Sequence, residues 1–397
     1  MKPLALSAFT ASSCLGRGLD PTLAALEAGL TGLKPCTFET VTLETFVGEV
    51  AGVDDERLPA GFEEFECRNN RLARLGLRQD GFDEAVRSAA ARLGPERIGV
   101  WLGTSTSGIL DTELAYRRRE PGTGALPEDF RYRGAHNTFS VAAFVQRALG
   151  LEGPAAVISS ACSSSAKVFA SARRAIEAGL VDAAVVGGVD SLCLTTLYGF
   201  HSLQLVARKP CRPFDVERDG LSIGEAAAFA LIEPPQPNDT AQDVLLLGTG
   251  ESSDAWHMSA PHPEGRGASA AMREALAAAR LDAAQIDYIN FHGTGTASND
   301  AAEARAVAAV LGTAVPGSST KGATGHTLGA AGALEAVICA LALRHGLMPA
   351  GVNTRSLDPA LPVSYVRESR RARLDAVMSN SFGFGGSNCS LVLGKAG

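Results

Sequence analysis

The chain has no CxxC pair and no cysteine–histidine spacing of the kind that holds zinc. Its eight cysteines stand far apart, at 14, 36, 67, 162, 193, 211, 339 and 389. That excludes a metal-stapled or disulfide-framed scaffold and reads as reduced thiols of a cytoplasmic protein. A basic excess is also missing. The 36 Lys+Arg are outnumbered by 43 Asp+Glu, for a net charge of −7, which argues against a general nucleic-acid binder while leaving room for a local basic face. No stretch offers the ~20 apolar residues that a membrane span needs. The N-terminus carries Ala11-Ser12-Ser13-Cys14, faintly like a lipoprotein cleavage site. The apolar run before it is short and Pro3 interrupts its start, so it reads as a first strand and loop.

What is present is an ordinary globular balance: 397 residues, 46% hydrophobic, 20% charged, with 43 glycines. This suits a soluble α/β protein with room for two or three domains. Strand-like runs at 97–103, 155–159, 183–189, 226–232, 244–248, 287–291, 377–381 and 389–393 end in glycine or polar stops. Alanine-rich helices are predicted between them at about 163–178, 268–279, 300–311 and 329–345. The alternation points to mixed sheets. The last helix is apolar nearly all round, as is much of the first, so both are expected to lie buried between layers. Proline and polar residues at 233–240 read as a seam dividing residues 1–240 from 241–397. A faint repeat joins the halves: strand, turn, Cys162 and helix in the first, and strand, turn, His326 and helix in the second.

Cys162 ends a short apolar strand and begins a helix. There it meets unpaired backbone N–H groups and the positive end of the helix dipole, both of which favour the nucleophilic thiolate. The same N–H groups suit a thioester oxyanion. A core thiol is the plain alternative. Two histidines alter the balance: His292 in Phe291-His292-Gly293-Thr294-Gly295-Thr296, and His326 in Thr324-Gly325-His326-Thr327-Leu328-Gly329. Each closes an element among glycines, where backbone and substrate can approach closely. Together with a helix-start cysteine they suggest one site. Glu335 lies in an otherwise apolar helix, where an unpaired carboxylate is costly, so a buried interaction with Lys321 is expected.

At these residues the chain resembles the β-ketoacyl–acyl-carrier-protein synthases, condensing enzymes of the thiolase superfamily. The matching segments are Ala161–Ser165, Arg212–Gly220 with Gly224-Glu225, His292–Thr296 with Asn299-Asp300, Lys321 with Gly325–Gly332, and Ser381–Asn388. The resemblance implies a thiolase-like fold: two stacked halves in five layers, αβαβα. It implies a Cys-His-His site of the elongating class, with catalytic Cys162, His292, His326, Lys321 and Glu335, and backbone N–H donors from Cys162 and Phe384 in an oxyanion hole. Thr294 and Thr296 would meet a phosphopantetheine arm, the substrate carrier. No tightly bound cofactor or metal is implied. Phe382, Phe384 and Asn388 would touch substrate, with Phe384 as a gate between two glycines. Asp254 would support the site. Thr106 falls where relatives line the acyl pocket, often with an apolar residue, which points to a shorter, more polar or unsaturated chain.

The implied partner is an acyl carrier protein. Since that partner is acidic, Arg68, Arg71, Arg208 and Lys209 are candidates for docking it. A homodimer is usual, or a heterodimer with a chain-length-factor-like subunit. The expected reaction is decarboxylative condensation of an acyl thioester with malonyl-carrier protein in fatty-acid, polyketide or polyene elongation. Ser159-Ser160, Leu221, Ala226 and Ser387 depart from the common pattern and suggest a divergent branch, in secondary metabolism. A thiolase would need a second reactive cysteine, and Cys389 lies after the last glycine loop. A chain-length factor would lack the nucleophile.

Overall fold

The computed structural model describes residues 1–236 and 243–396; part of the predicted seam, residues 237–240, lies outside them. Ten strands of its twelve-stranded sheet form two copies of one five-stranded pattern. In the first, Ile98–Gly103 lies between Ala155–Ile158 and Ala183–Asp190, parallel to both. Ala226–Glu233 and then Leu4–Ser13 follow antiparallel. In the second, Tyr288–Asn290 lies between Pro316–Ser318 and Ala376–Gly383, again parallel. Ser387–Lys395 and Val244–Ser253 complete it antiparallel. The two patterns touch edge to edge where Leu4 and Ala5 pair with Leu246 and Leu245. The faint repeat between Cys162 and His326 is therefore a whole-fold duplication.

The inner parallel strands Ile98–Gly103, Ala183–Asp190 and Tyr288–Asn290 are fully buried, as sheets covered on both faces must be. Ser164–Glu177 and Ala331–His345 occupy matching places in the two halves and pack against each other in one apolar core, which draws side chains from both sheets. A Cβ on Gly332 would lie 2.5 Å from the Ala166 backbone nitrogen, so glycine there permits the close crossing. Outer helices cover the first sheet through Leu72, Val86 and Phe144 and the second through Met272, Ala304 and Val307. Helix, sheet, paired helices, sheet, helix make the five layers. Residues 328–345 have the length and apolarity of a membrane helix, but they form the buried middle of this stack.

The elements follow the predicted runs with small shifts at their ends. Val244–Ser253 and Ser387–Lys395 are longer than their apolar cores because each pairs along the other's full length. The helices Arg68–Leu77, Phe82–Leu93 and Ser140–Leu149 were not predicted. Their short, polar-rich faces hide an apolar stripe that only packing on the sheet reveals.

Candidate active site

Cys162 sits on a tight turn between the strand Ala155–Ile158 and the helix that starts at Ser164. Ala161 takes a left-handed φ of 52°, and the Ser164 hydroxyl ties the turn together by donating to the Ala161 carbonyl while accepting from Ser160 N–H. The sulfur is buried, at 5% exposure. Burial pushes the thiol up to about 12, while the Lys321 charge and a hydrogen bond from Phe384 N–H pull it down. Desolvation is thus the largest influence on the thiol, and the nearby positive charge and amide act against it.

His326 Nε2 lies 3.0 Å from Cys162 Sγ. Leu328 N–H donates to Nδ1 over 3.3 Å, so the neutral ring carries its proton on Nε2, aimed at the sulfur. His292 stands edge-on to His326, with ring centroids 5.3 Å apart. Its Nδ1 faces Lys321 Nζ at 3.4 Å; a lysine nitrogen only donates here, so His292 also keeps its proton on Nε2. Burial and the Lys321 charge hold both rings well below the usual imidazole range. Lys321 and Glu335 are 1% and 2% exposed and are in direct contact. Burial pushes Glu335 up to about 7 against the pull of Lys321.

The site is thus one sulfur in contact with the His326 imidazole N–H, with the His292 ring and Phe384 beside it. Ligand atoms of Cys162, His292 and His326 all lie within 4.8 Å of one another, close enough for a metal ion. The proton positions oppose one, because each Nε2 presents hydrogen rather than a lone pair and Lys321 adds positive charge nearby. The arrangement is built for developing negative charge.

A carboxylate that sequence reasoning missed anchors His292. Glu303 accepts from the backbone N–H groups of His292 and Gly293 at 2.8 and 2.7 Å, and from Asn380 Nδ2 at 3.1 Å. Burial raises it to about 7. The signal was available: Glu303 lies in the alanine-rich helix Ala297–Val310, in the same sense that singled out Glu335.

Thr294 and Thr296 line the cleft leading to the sulfur, with their hydroxyls 2.9 Å apart. Phe382, Phe384 and Asn388 line it too, as does Asn299. Asn388 donates to Asp254 at 3.0 Å, and Asp254 N–H donates to the Gly386 carbonyl, which ties the glycine loop to the segment opposite. Phe200 packs on Phe384 at 5.4 Å. A Cβ on Gly383 would lie 2.8 Å from the Ser160 carbonyl and 3.2 Å from Cys162 N, so the last glycine loop and the Cys162 turn touch through backbone.

Thr106 is fully buried, and its hydroxyl donates to Asp190 at 2.8 Å. One expectation fails on geometry. Arg68 is 4% exposed and is held by Glu225, Asp54 and Glu49, since a buried guanidinium needs carboxylate partners; it has no free face for docking. Arg71 is half-buried against Glu66. Arg208 and Lys209 are exposed, and Lys209 shares a groove with Arg212 and Arg355. Cys389 is fully buried within its strand, outside the cleft.

Residues 45–237 match the family Beta-ketoacyl synthase, N-terminal domain, and residues 244–355 match Beta-ketoacyl synthase, C-terminal domain. A mitochondrial 3-oxoacyl-[acyl-carrier-protein] synthase of Arabidopsis thaliana is 33% identical, over 95% of this chain and 90% of its own length. The 3-oxoacyl-[acyl-carrier-protein] synthase 2 of Coxiella burnetii is 32% identical, over 96% of each. Among solved structures, a ketosynthase from Xenorhabdus doucetiae in complex with its chain length factor superimposes with a TM-score of 0.89 at 41% identity, covering 100% of this chain and 98% of that one.

Proposed function

This chain belongs to the β-ketoacyl synthase family of the thiolase superfamily, and from that premise we propose how its residues carry out decarboxylative condensation. Cys162 attacks the carbonyl of an acyl thioester. The oxyanion is held by the backbone N–H groups of Cys162 and Phe384, and the carrier thiol leaves with a proton. A malonyl thioester then enters along Thr294, Thr296 and Asn388, which receive the phosphopantetheine arm. It loses carbon dioxide, and charge gathers on its thioester oxygen. The two Nε2–H groups of His292 and His326 meet that oxygen. The enolate carbon attacks acyl-Cys162, the carbon–sulfur bond breaks, and the thiolate returns as β-ketoacyl product leaves. Lys321, with Glu335 beside it, keeps the His292 proton on Nε2.

The observation that supports this most is the tautomer pattern. Both imidazoles are fixed from behind, by Leu328 N–H and by Lys321, and both present hydrogen to one pocket. A base-driven thiolase site would instead use a second thiol.

We further infer that the substrates arrive on an acyl carrier protein, docked by Arg208 and Lys209, and that the chain works in a two-subunit assembly. Among the described residues the strand Ala155–Ile158 ends the sheet with one side unpaired and its apolar residues half-buried, which suits pairing with a second subunit. The Xenorhabdus relative is in complex with its chain length factor, and a partner of that kind suits the open edge of this chain. All eight cysteines are free thiols, which supports a soluble enzyme of the cytoplasm.

Intact mass spectrometry after incubation with acyl-carrier thioesters tests the chemistry. Cys162→Ala and Cys162→Ser should take up no acyl group and form no product; full elongation by either sinks the reading. Cys162→Gln should still decarboxylate malonyl thioesters, and a silent variant would remove the role given to the two histidines.

A further inference from the structure

Asp190 ends the strand Ala183–Asp190 with a carboxylate that is fully buried. Its Oδ1 accepts from the Thr104 hydroxyl at 2.7 Å, Ser105 N–H at 2.7 Å, and Thr106 N–H and hydroxyl, both at 2.8 Å. Its Oδ2 reaches into the other half of the molecule and accepts Gly329 N–H at 2.5 Å. No lysine or arginine pairs with it among the described residues. A carboxylate buried this completely, and neutralised only by hydrogen-bond donors, is an expensive feature for packing alone.

Both ends of the network arrive at the reacting pair. On the first side, the Ser105 hydroxyl lies 3.5 Å from the Ala161 carbonyl, in the turn that carries Cys162. On the second side, Gly329 follows Leu328, whose N–H fixes His326 Nδ1. Leu328 has a left-handed φ of 53°, a conformation that a leucine adopts at a cost. The Asp190–Gly329 bond holds the peptide that follows it. A Cβ at 329 would sit 2.8 Å from Asp190 Oδ2 and 2.9 Å from Ser105 N, so glycine there is what lets the carboxylate and the loop close on the turn.

We propose that Asp190 is a positioning residue: it staples the His326 turn of one half to the Cys162 turn of the other, and so sets the imidazole Nε2–H on the sulfur. This rests on the thioester chemistry proposed for Cys162. Asp190 does not touch substrate; it acts through His326.

The test is acyl loading of Cys162, followed by mass, in the purified protein with its partner subunit. Asp190→Asn keeps the shape but replaces one acceptor oxygen by a donor. The expected result is a loading kcat lower by about ten- to a hundredfold, with KM for the carrier thioester within about twofold of the unmodified protein. Gly329→Ala, which presses on the same contact from the other side, should give the same split and serves if Asp190→Asn does not fold. In a His326→Ala background, Asp190→Asn should cost less than about twofold more.

Alkylation of Cys162 by iodoacetamide should slow in Asp190→Asn. A role through charge alone predicts faster alkylation, since the Asp190 charge raises the thiol. Faster alkylation, an undiminished loading rate in both variants, or a full extra loss in the His326→Ala background would each overturn the proposal. Loading of Cys162→Ala in the same series would instead overturn the reading of the site itself.

Discussion

Replacing Glu335 by leucine leaves the Lys321 ammonium beside His292 with its carboxylate gone. At 1% and 2% exposure, neither member of this pair is screened by water. Removing one partner of such a pair costs about 3–5 kcal/mol, because the other charge stays buried and uncompensated. At an unfolding entropy of roughly 2.1 cal/mol/K per residue over 397 residues, that loss lowers Tm by about 4–6 °C. The companion change, Lys321→Met together with Glu335→Leu, removes both charges and both desolvation penalties. It should return Tm to within about 2 °C of the unmodified protein, since apolar replacements of buried pairs are often neutral. Condensation should not return with it. His292 Nδ1 then lacks its donor at 3.4 Å, the proton is free to move there from Nε2, and one of two enolate donors is lost at a cost of about 10²–10³ in rate. Thermal unfolding followed by circular dichroism reads the first quantity, and product formation by mass reads the second. A Glu335→Leu protein that melts within about 1 °C of the original, or a double variant that condenses at the original rate, would refute the reasoning.

The free Cys162 thiol, held near 12 by burial, should be alkylated by iodoacetamide at a rate that climbs about tenfold per pH unit across the neutral and mildly alkaline range; a plateau below pH 8 would show a thiol far more acidic than its surroundings allow. Glu303 is raised from 4.5 to about 7 by burial. A carboxyl raised on folding contributes stability that is present below about 4.5 and lost as pH rises through about 7. Melting temperatures between pH 5 and 7.5 should therefore fall more steeply in the original protein than in Glu303→Gln, and parallel curves would disprove this. Arg208→Glu with Lys209→Glu should raise KM for carrier-bound substrates about tenfold at low salt and leave small soluble thioesters unaffected; equal effects on both substrate types would exclude docking there.

The chemistry-bearing residues were legible because each breaks the rule of its surroundings. Cys162 follows an apolar strand, the two histidines sit among glycines, and Glu335 interrupts an apolar helix. Glu303 lies just past the Asn299-Asp300 match and was passed over, because its burial appears only when the helix Ala297–Val310 is packed. Arg68 was misplaced for the opposite reason. Alignment with a family pattern gives a position along the chain but not the direction a side chain takes, and the carboxylate of Glu225 decided that direction.

Local sequence determined eight of the strands, the buried character of the two central helices and the candidates for the reacting groups, because periodicity, glycine stops and isolated polar residues act over a few positions. Tertiary structure alone decided that the sulfur is buried and that the His326 ring stands against it. Those placements depend on atoms brought from sites more than a hundred residues apart, such as Cys162 and His326 or Asp190 and Gly329, and burial exists only once the two halves have closed on each other.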